Sequence, residues 1–237
     1  MIRLLHSSPA IAEAWCFGAF SAYIKPRSRV AVIALSFRDA QVANSAQWAD
    51  IYGRDRGKYY RVIVDSLAAY GIDEAGIEWI DYFKDTVQTA KQKIKSADIL
   101  YLPGGLPDRL FARIAAMNLL EDISAHTGVV MGFSAGAMAQ LSEYHITPDA
   151  DYQLFSYGKG CGLIDAFGIE VHYDENDAVQ RQSIERFLRE KRKPLYAIAD
   201  DGALVVASGN VSIVGNVVFF AAEPHLPTSG ESAGAAP

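Results

Sequence analysis

Val129-Val-Met-Gly-Phe-Ser-Ala-Gly-Ala-Met138 is the stretch that decides the fold. Apolar residues run into Gly132-Phe133-Ser134-Ala135-Gly136, a G-x-S-x-G, and a helix-compatible segment, Ala137 to Leu141, follows. The pattern predicts a strand, a sharp turn and a helix, with Ser134 at the turn. That context separates a nucleophile elbow from a chance match to the motif. The glycines let the chain turn tightly and keep Cβ atoms away from a reacting group. The backbone N–H of Ala135 opens the helix and points at developing negative charge. The rival reading is a glycine-rich turn with a capping serine. The strand before it and the helix after it favour the nucleophile.

Working outward, Leu100-Tyr-Leu-Pro-Gly-Gly105 repeats the strand-then-glycine pattern. Upstream, Ile2–Ser7 and Arg29–Leu35 read as apolar strands, and Gly76–Tyr82 as an alternating strand nearer a sheet edge. Helical spacing falls at Ala10–Tyr23, Lys58–Tyr70, Thr86–Lys95, Pro107–Met117 and Leu119–Ala125. Ser36–Gly57 is a polar connection, partly helical, that either overhangs a site or is solvated. Strands alternating with helices predict an α/β fold, a parallel sheet with helices on both faces. Ligands in such sheets sit beyond the carboxyl ends of the strands, which places Gly104-Gly105 and Ser134 on the functional edge. Beyond Leu141 the pattern changes. Tyr144–Tyr157 is irregular, Gly168–His172 is a strand ending in histidine, and a helix capped by Asp177 runs to about Arg192. Leu195–Ala199 is a strand, with a turn at Asp200-Asp201-Gly202. Ala203–Ala207, Ser212–Val214 and Val217–Ala221 form a small antiparallel extension with turns at Ser208-Gly-Asn210 and Gly215-Asn216. Residues 1–226 are expected to form one domain and 227–237 a disordered tail.

Half of the 237 residues are hydrophobic, and the net charge is −6. The composition supplies a sizeable core, and the acidic balance argues against a nucleic-acid partner. Two cysteines, Cys16 and Cys161, lie far apart with no metal-ligand spacing, and neither a metal nor an organic cofactor is implied. The start lacks a signal-peptide h-region, and no run reaches transmembrane length, so a cytoplasmic protein with no membrane partner is expected. A homodimer is compatible with the composition.

A serine hydroxyl needs a base within hydrogen-bond reach and a group to orient that base. Of five histidines, His6, His126 and His145 lie in segments without other chemical signals. His172 ends a strand, and His225 lies beside the tail. The orienting acid is expected at Asp201, before Gly202; its neighbour Asp200 is the alternative. Two chain orders follow: Ser134…His172…Asp201, or Ser134…Asp201…His225 in the α/β-hydrolase order. The first uses two strand ends in the body of the chain and is preferred, since a positioned base belongs on a rigid element.

Gly132-Phe-Ser-Ala-Gly-Ala-Met138, Leu102-Pro-Gly-Gly105, Val171-His172-Tyr173 and Asp200-Asp201-Gly202 together resemble the peptidase E (aspartyl dipeptidase) and cyanophycinase family of serine peptidases. The resemblance runs in element order from the first strand to about Ala221. It implies a class I glutamine amidotransferase-like, flavodoxin-like three-layer fold. It also implies Ser134 as nucleophile, His172 as base, Asp201 as third member, and the N–H groups of Gly105 and Ala135 as the oxyanion hole. The expected function is a serine hydrolase that cleaves small peptides. The alternatives are an esterase with the same machinery and a non-catalytic amidotransferase-like binding protein.

Two departures from the family pattern bear on the substrate. Leu106-Pro107 stand where family members carry polar residues after the glycine pair, and Ser7-Ser8-Pro9 replace a glycine-rich turn. A preference for an acidic substrate residue needs a fixed cation, with Arg38, Arg54, Arg56 and Arg109 as candidates. The apolar Leu106-Pro107 predicts that strict Asp-X specificity is weakened.

Overall fold

The structure, a computed structural model, describes residues 1–222. Five short strands form its parallel body: β1 (Ile2–His6), β2 (Val30–Val32), β3 (Ile77–Trp79), β4 (Ile99–Leu102) and β5 (Val129–Phe133). They lie in the order β1-β5-β4-β2-β3, which puts the alternating β3 at the edge and the wholly apolar β4 and β5 inside. A strand buried on both faces has no polar side to show, which is why β4 and β5 read as continuous apolar runs.

Successive residues of β4 serve opposite faces. Ile99 and Tyr101 pack with α1 (Ala14–Ser21), α2 (Ser45–Tyr52) and α3 (Lys58–Ala68). Leu100 and Leu102 pack with α4 (Val87–Ser96), α5 (Pro107–Ala116) and α6 (Leu120–Ser124). The result is three layers, helices on sheet on helices, as the strand–helix alternation predicts. The polar connection after β2 contains α2, which is capped by the Asn44 side chain accepting the Gln47 N–H at 3.0 Å.

After α7 (Ala135–Met138) the chain departs from simple alternation. The segment read as irregular contains β6 (Glu143–Ile146), paired antiparallel with β7 (Ser156–Lys159). Tyr144, His145 and Ile146 are all buried, so β6 shows no two-residue alternation to betray it. Next come β8 (Gly168–Val171) and α8 (Ala178–Lys191), the latter capped by Asp177 as expected.

The C-terminal strands correct the sequence reading. Leu195–Ala207 is one thirteen-residue strand, β9, and Asn210–Phe220 is one strand, β10. Asp200-Asp201-Gly202 is therefore not a turn, and Gly215-Asn216 is a bulge where the β9–β10 register shifts. The cause is pairing. β10 runs antiparallel along the whole of β9, while the opposite edge of β9 pairs parallel with β8 over its first half and antiparallel with β1 over its second. These partners make strand pairing continuous through residues that look like a turn in isolation. The carboxyl ends of β1 and β8 consequently meet at the middle of β9, beside Asp200. The tail expected at 227–237 and the alternative base His225 lie outside the described residues.

Candidate active site

Ser134 follows β5 with φ 51° and ψ −119°, a conformation that non-glycine residues rarely adopt. Three close approaches hold it there. Its N–H donates to the His6 carbonyl at 3.0 Å, extending the β1–β5 ladder by one bond. A Cβ at Gly136 would collide with the Leu102 carbonyl, and one at Gly132 would lie 2.5 Å from the Gly136 carbonyl oxygen. Only glycine lets β5 and α7 pack this tightly, and the strain at the serine is sustained by that packing. This is the strand–turn–helix geometry expected at the elbow.

Gly105 enters from β4 with φ 140°. Its orientation is set by Ser36, a fully buried residue just beyond β2. Ser36 Oγ donates to the Gly104 carbonyl at 2.6 Å and lies 3.1 Å from the Tyr52 hydroxyl, and the Ser36 carbonyl accepts the Leu106 N–H at 2.7 Å. Carbonyl and N–H of a trans peptide point in opposite directions, so fixing the Gly104 carbonyl on Ser36 turns the Gly105 N–H the other way. Neither the Gly105 nor the Ala135 N–H has a protein acceptor among the described residues. Two backbone donors thus remain free beside the serine.

Ser36 is anchored in turn by Arg113 of α5, which donates to the carbonyls of Leu35 (2.5 Å) and Phe37 (2.8 Å), pairs with Asp39 at 2.6 Å and lies over the Phe37 ring. Nothing in the sequence marked Ser36, Tyr52 or Arg113. Their roles depend on contacts between separate segments: Ser36 reaches Tyr52 across 16 residues and Gly104 across 68, and Arg113 reaches Leu35 across 78.

His172 stands just past β8 with φ 53°. Its Nδ1 lies 2.6 Å from Asp200 Oδ1. Asp200 is thus the carboxylate that the structure brings to His172. Asp201, expected in that place, makes no side-chain hydrogen bond among the described residues. The physical reason is the strand itself: consecutive residues of β9 project to opposite sides, and Asp200 has the parity that faces His172. Two serines of the segment that departs from the family pattern hold the pair. Ser7 Oγ donates to the Ile198 carbonyl at 2.6 Å and accepts the His172 N–H at 3.0 Å, and Ser8 Oγ donates to the Asp200 carbonyl at 2.8 Å.

Ser134, Gly105 and His172 line one cavity of about 260 Å³, whose far wall includes His145, Thr147, Asp149, Tyr152 and Glu170. Of the other histidines, His6 is sealed under the site, its ring against Phe20, Tyr101 and Phe133 and its Nδ1 2.6 Å from the Ser8 carbonyl oxygen. Burial holds its pKa down at about 4. The four candidate arginines all have anionic partners: Arg38 with Asp151, Arg54 with Glu74, Arg56 with Asp50, and Arg109 with Asp39 and Asp108.

The sequence model of peptidase family S51 matches residues 53–214, which hold the elbow, Gly104-Gly105, His172 and both aspartates. The chain belongs to peptidase family S51. It is a serine-type peptidase, a hydrolase, as the elbow and the resemblance to peptidase E led one to expect. Solved structures agree on the fold. A Listeria monocytogenes EGD-e protein provisionally assigned as a peptidase E superposes with TM-score 0.65 at 17% identity, over 91% of this chain and 98% of its own. A peptidase from an acI-B1 Actinobacterium gives TM-score 0.63 at 18% identity, over 94% and 91%. Among curated protein sequences none matches the chain significantly. In this S51 peptidase no helix among the described residues is long and apolar enough to cross a membrane.

Proposed function

We propose that this S51 peptidase cleaves small peptides with Ser134 as nucleophile, His172 as general base and Asp200 as the orienting acid. The observation that carries the reading is the convergence of a strained serine, two free backbone N–H groups and a carboxylate-paired histidine around one cavity. With His172 Nδ1–H donating to Asp200, Nε2 keeps its lone pair for the serine proton. Ser134 Oγ attacks the carbonyl carbon, His172 takes the proton, and the N–H groups of Gly105 and Ala135 hold the oxyanion. Collapse breaks the C–N bond, and His172 returns the proton to the departing amine. Water then enters by the same base and releases the acyl group as a carboxylic acid.

A cavity of about 260 Å³ lies below the range of roughly 300–1,000 Å³ usual for drug-sized ligands, which favours a substrate of one or two residues. Strict Asp-X specificity is disfavoured, because each candidate arginine is engaged with a carboxylate and the cavity wall carries neither Arg nor Lys among the described residues. Two buried free thiols accord with a reducing cytoplasm.

The test is labelling by a fluorophosphonate probe with the adduct located by mass spectrometry, alongside turnover of small dipeptides. Modification of Ser134 in the wild type, absent in His172→Ala, is expected. An adduct elsewhere, or undiminished turnover in a folded Ser134→Ala protein, overturns the assignment.

A further inference from the structure

The cavity that holds Ser134 is one-sided in charge. Asp149, Asp151, Glu170 and Asp177 line it. Three of these carboxylates are already committed. Asp151 pairs with Arg38, Asp149 accepts the N–H groups of Asp151 (2.7 Å) and Tyr152 (2.8 Å), and Asp177 caps α8. Glu170 differs. It is only 6% exposed, yet its two contacts, His145 Nε2 at 2.6 Å and Thr147 Oγ1 at 2.8 Å, both fall on Oε2. Oε1 has no hydrogen-bond partner among the described residues and is not sealed off by protein, so it opens on the cavity.

His145 reaches only Oε2 of this carboxylate, through Nε2. Its Nδ1 is buried without a partner. A carboxylate this deeply buried, satisfied on one oxygen and open on the other, is completed best by a positively charged donor. Glu170 also stands two residues before His172, at the end of β8. A molecule with its carbonyl at Ser134 can therefore reach Glu170 without leaving the cavity.

We propose that Glu170 is the floor of a subsite for a substrate ammonium group, so that this enzyme selects peptides carrying a positive charge close to the scissile bond. The proposal rests on the reading of Ser134 as the nucleophile of this cavity. An ammonium can come from the free α-amino terminus or from a lysyl side chain.

The experiment measures binding rather than turnover, by calorimetry on Ser134→Ala and on Ser134→Ala/Glu170→Gln. The glutamine keeps an oxygen for His145 and Thr147 while losing the charge. One pair of probes is Ala-Ala against N-acetyl-Ala-Ala, and the other is N-acetyl-Lys-Ala against N-acetyl-norleucyl-Ala. In at least one pair the charged member is expected to bind about tenfold or more tightly, with the advantage gone in the double variant. The pair that shows the advantage identifies the source of the ammonium. No preference in either pair, or a preference that survives Glu170→Gln, overturns the proposal. Should the glutamine variant not fold, the comparison within Ser134→Ala still decides whether charge is recognised. A failed hydrolase reading would appear as charge preference without probe labelling of Ser134. A failed subsite would appear as labelling without preference.

Discussion

Ser7 accepts the backbone N–H of His172 on its side-chain oxygen at 3.0 Å while donating to Ile198. One hydroxyl thus seats the base of β8 on the end of β1, although 165 residues separate the two in sequence. Ser7→Ala should leave that N–H without its partner, while the Ile198 carbonyl keeps the Tyr173 N–H at 3.0 Å, at a cost of about 1–3 kcal/mol. It should lower kcat about tenfold with KM little changed, because it displaces the base and touches no substrate. Ser7→Thr keeps the hydroxyl and should restore most of the rate. Steady-state kinetics with chemical unfolding of the three proteins checks this.

The two neighbouring aspartates separate cleanly. Asp200→Asn removes the charge that faces His172 and favours the wrong imidazole tautomer. Asp200 is largely exposed, so kcat should fall by about tenfold to a thousandfold, short of the roughly 10⁴ found where the acid is buried. Asp201→Asn should change kcat by less than about twofold, as expected of a surface residue remote from the reaction. The reverse ranking would restore Asp201 as the third member.

The oxyanion loop can be tested through its glycine. A Cβ at Gly105 would collide with the Ser36 carbonyl, and the residue's φ of 140° disfavours any side chain. Gly105→Ala should swing the N–H out of line and lower kcat by roughly 10²–10³, the usual loss for one oxyanion donor. Ser36→Ala frees the Gly104 carbonyl rather than blocking the loop, and should give a smaller fall in the same parameter. Equal rates in wild type and Gly105→Ala would remove Gly105 from the machinery.

His6 makes stability depend on pH. Burial lowers its pKa from 6.5 to about 4, so the folded protein holds the ring neutral while the unfolded chain takes up a proton below 6.5. Stability from this group is full above pH 6.5, declines as pH falls, and is lost by about pH 4. The whole effect is roughly 3 kcal/mol at 1.36 kcal/mol per unit. Urea unfolding at pH 7.5 and 4.5 should show a smaller acid loss for His6→Gln than for the wild type. Parallel losses in the two proteins would assign the acid sensitivity to other groups.

What the sequence disclosed, and what it hid, follows from the range of the interactions involved. The elbow was legible because the apolar strand, the glycines and Ser134 lie within ten residues. His172 was legible as a strand end. The choice between Asp200 and Asp201 was not, because it depends on how β9 is paired, and its partners β1 and β8 lie elsewhere in the chain. Ser7, Ser36 and Glu170 were hidden for the same reason. Each is an ordinary residue in its own segment and acquires a role only when strand ends from distant parts of the chain converge. β6 escaped notice because burial on both faces removed its alternation.

The shift of register between Gly215 and Val217 lets β10 follow β9 past its midpoint, beside the two aspartates. There a Cβ at Gly202 would strike the Asn216 carbonyl, and one at Gly215 the Asp201 carbonyl. The bulge thus acts as a counting mark. A β9 displaced by one position against β1 and β8 would turn Asp200 away from His172 and present Asp201 to a different neighbourhood, keeping the strands but exchanging the β9 side chains, such as Leu204 and Val205, between the two faces of the sheet. Molecules misassembled in this way would look folded to circular dichroism and yet be silent to a serine-directed probe. The fraction of folded protein that titrates with such a probe is therefore a direct gauge of how faithfully the C-terminal strands have found their register.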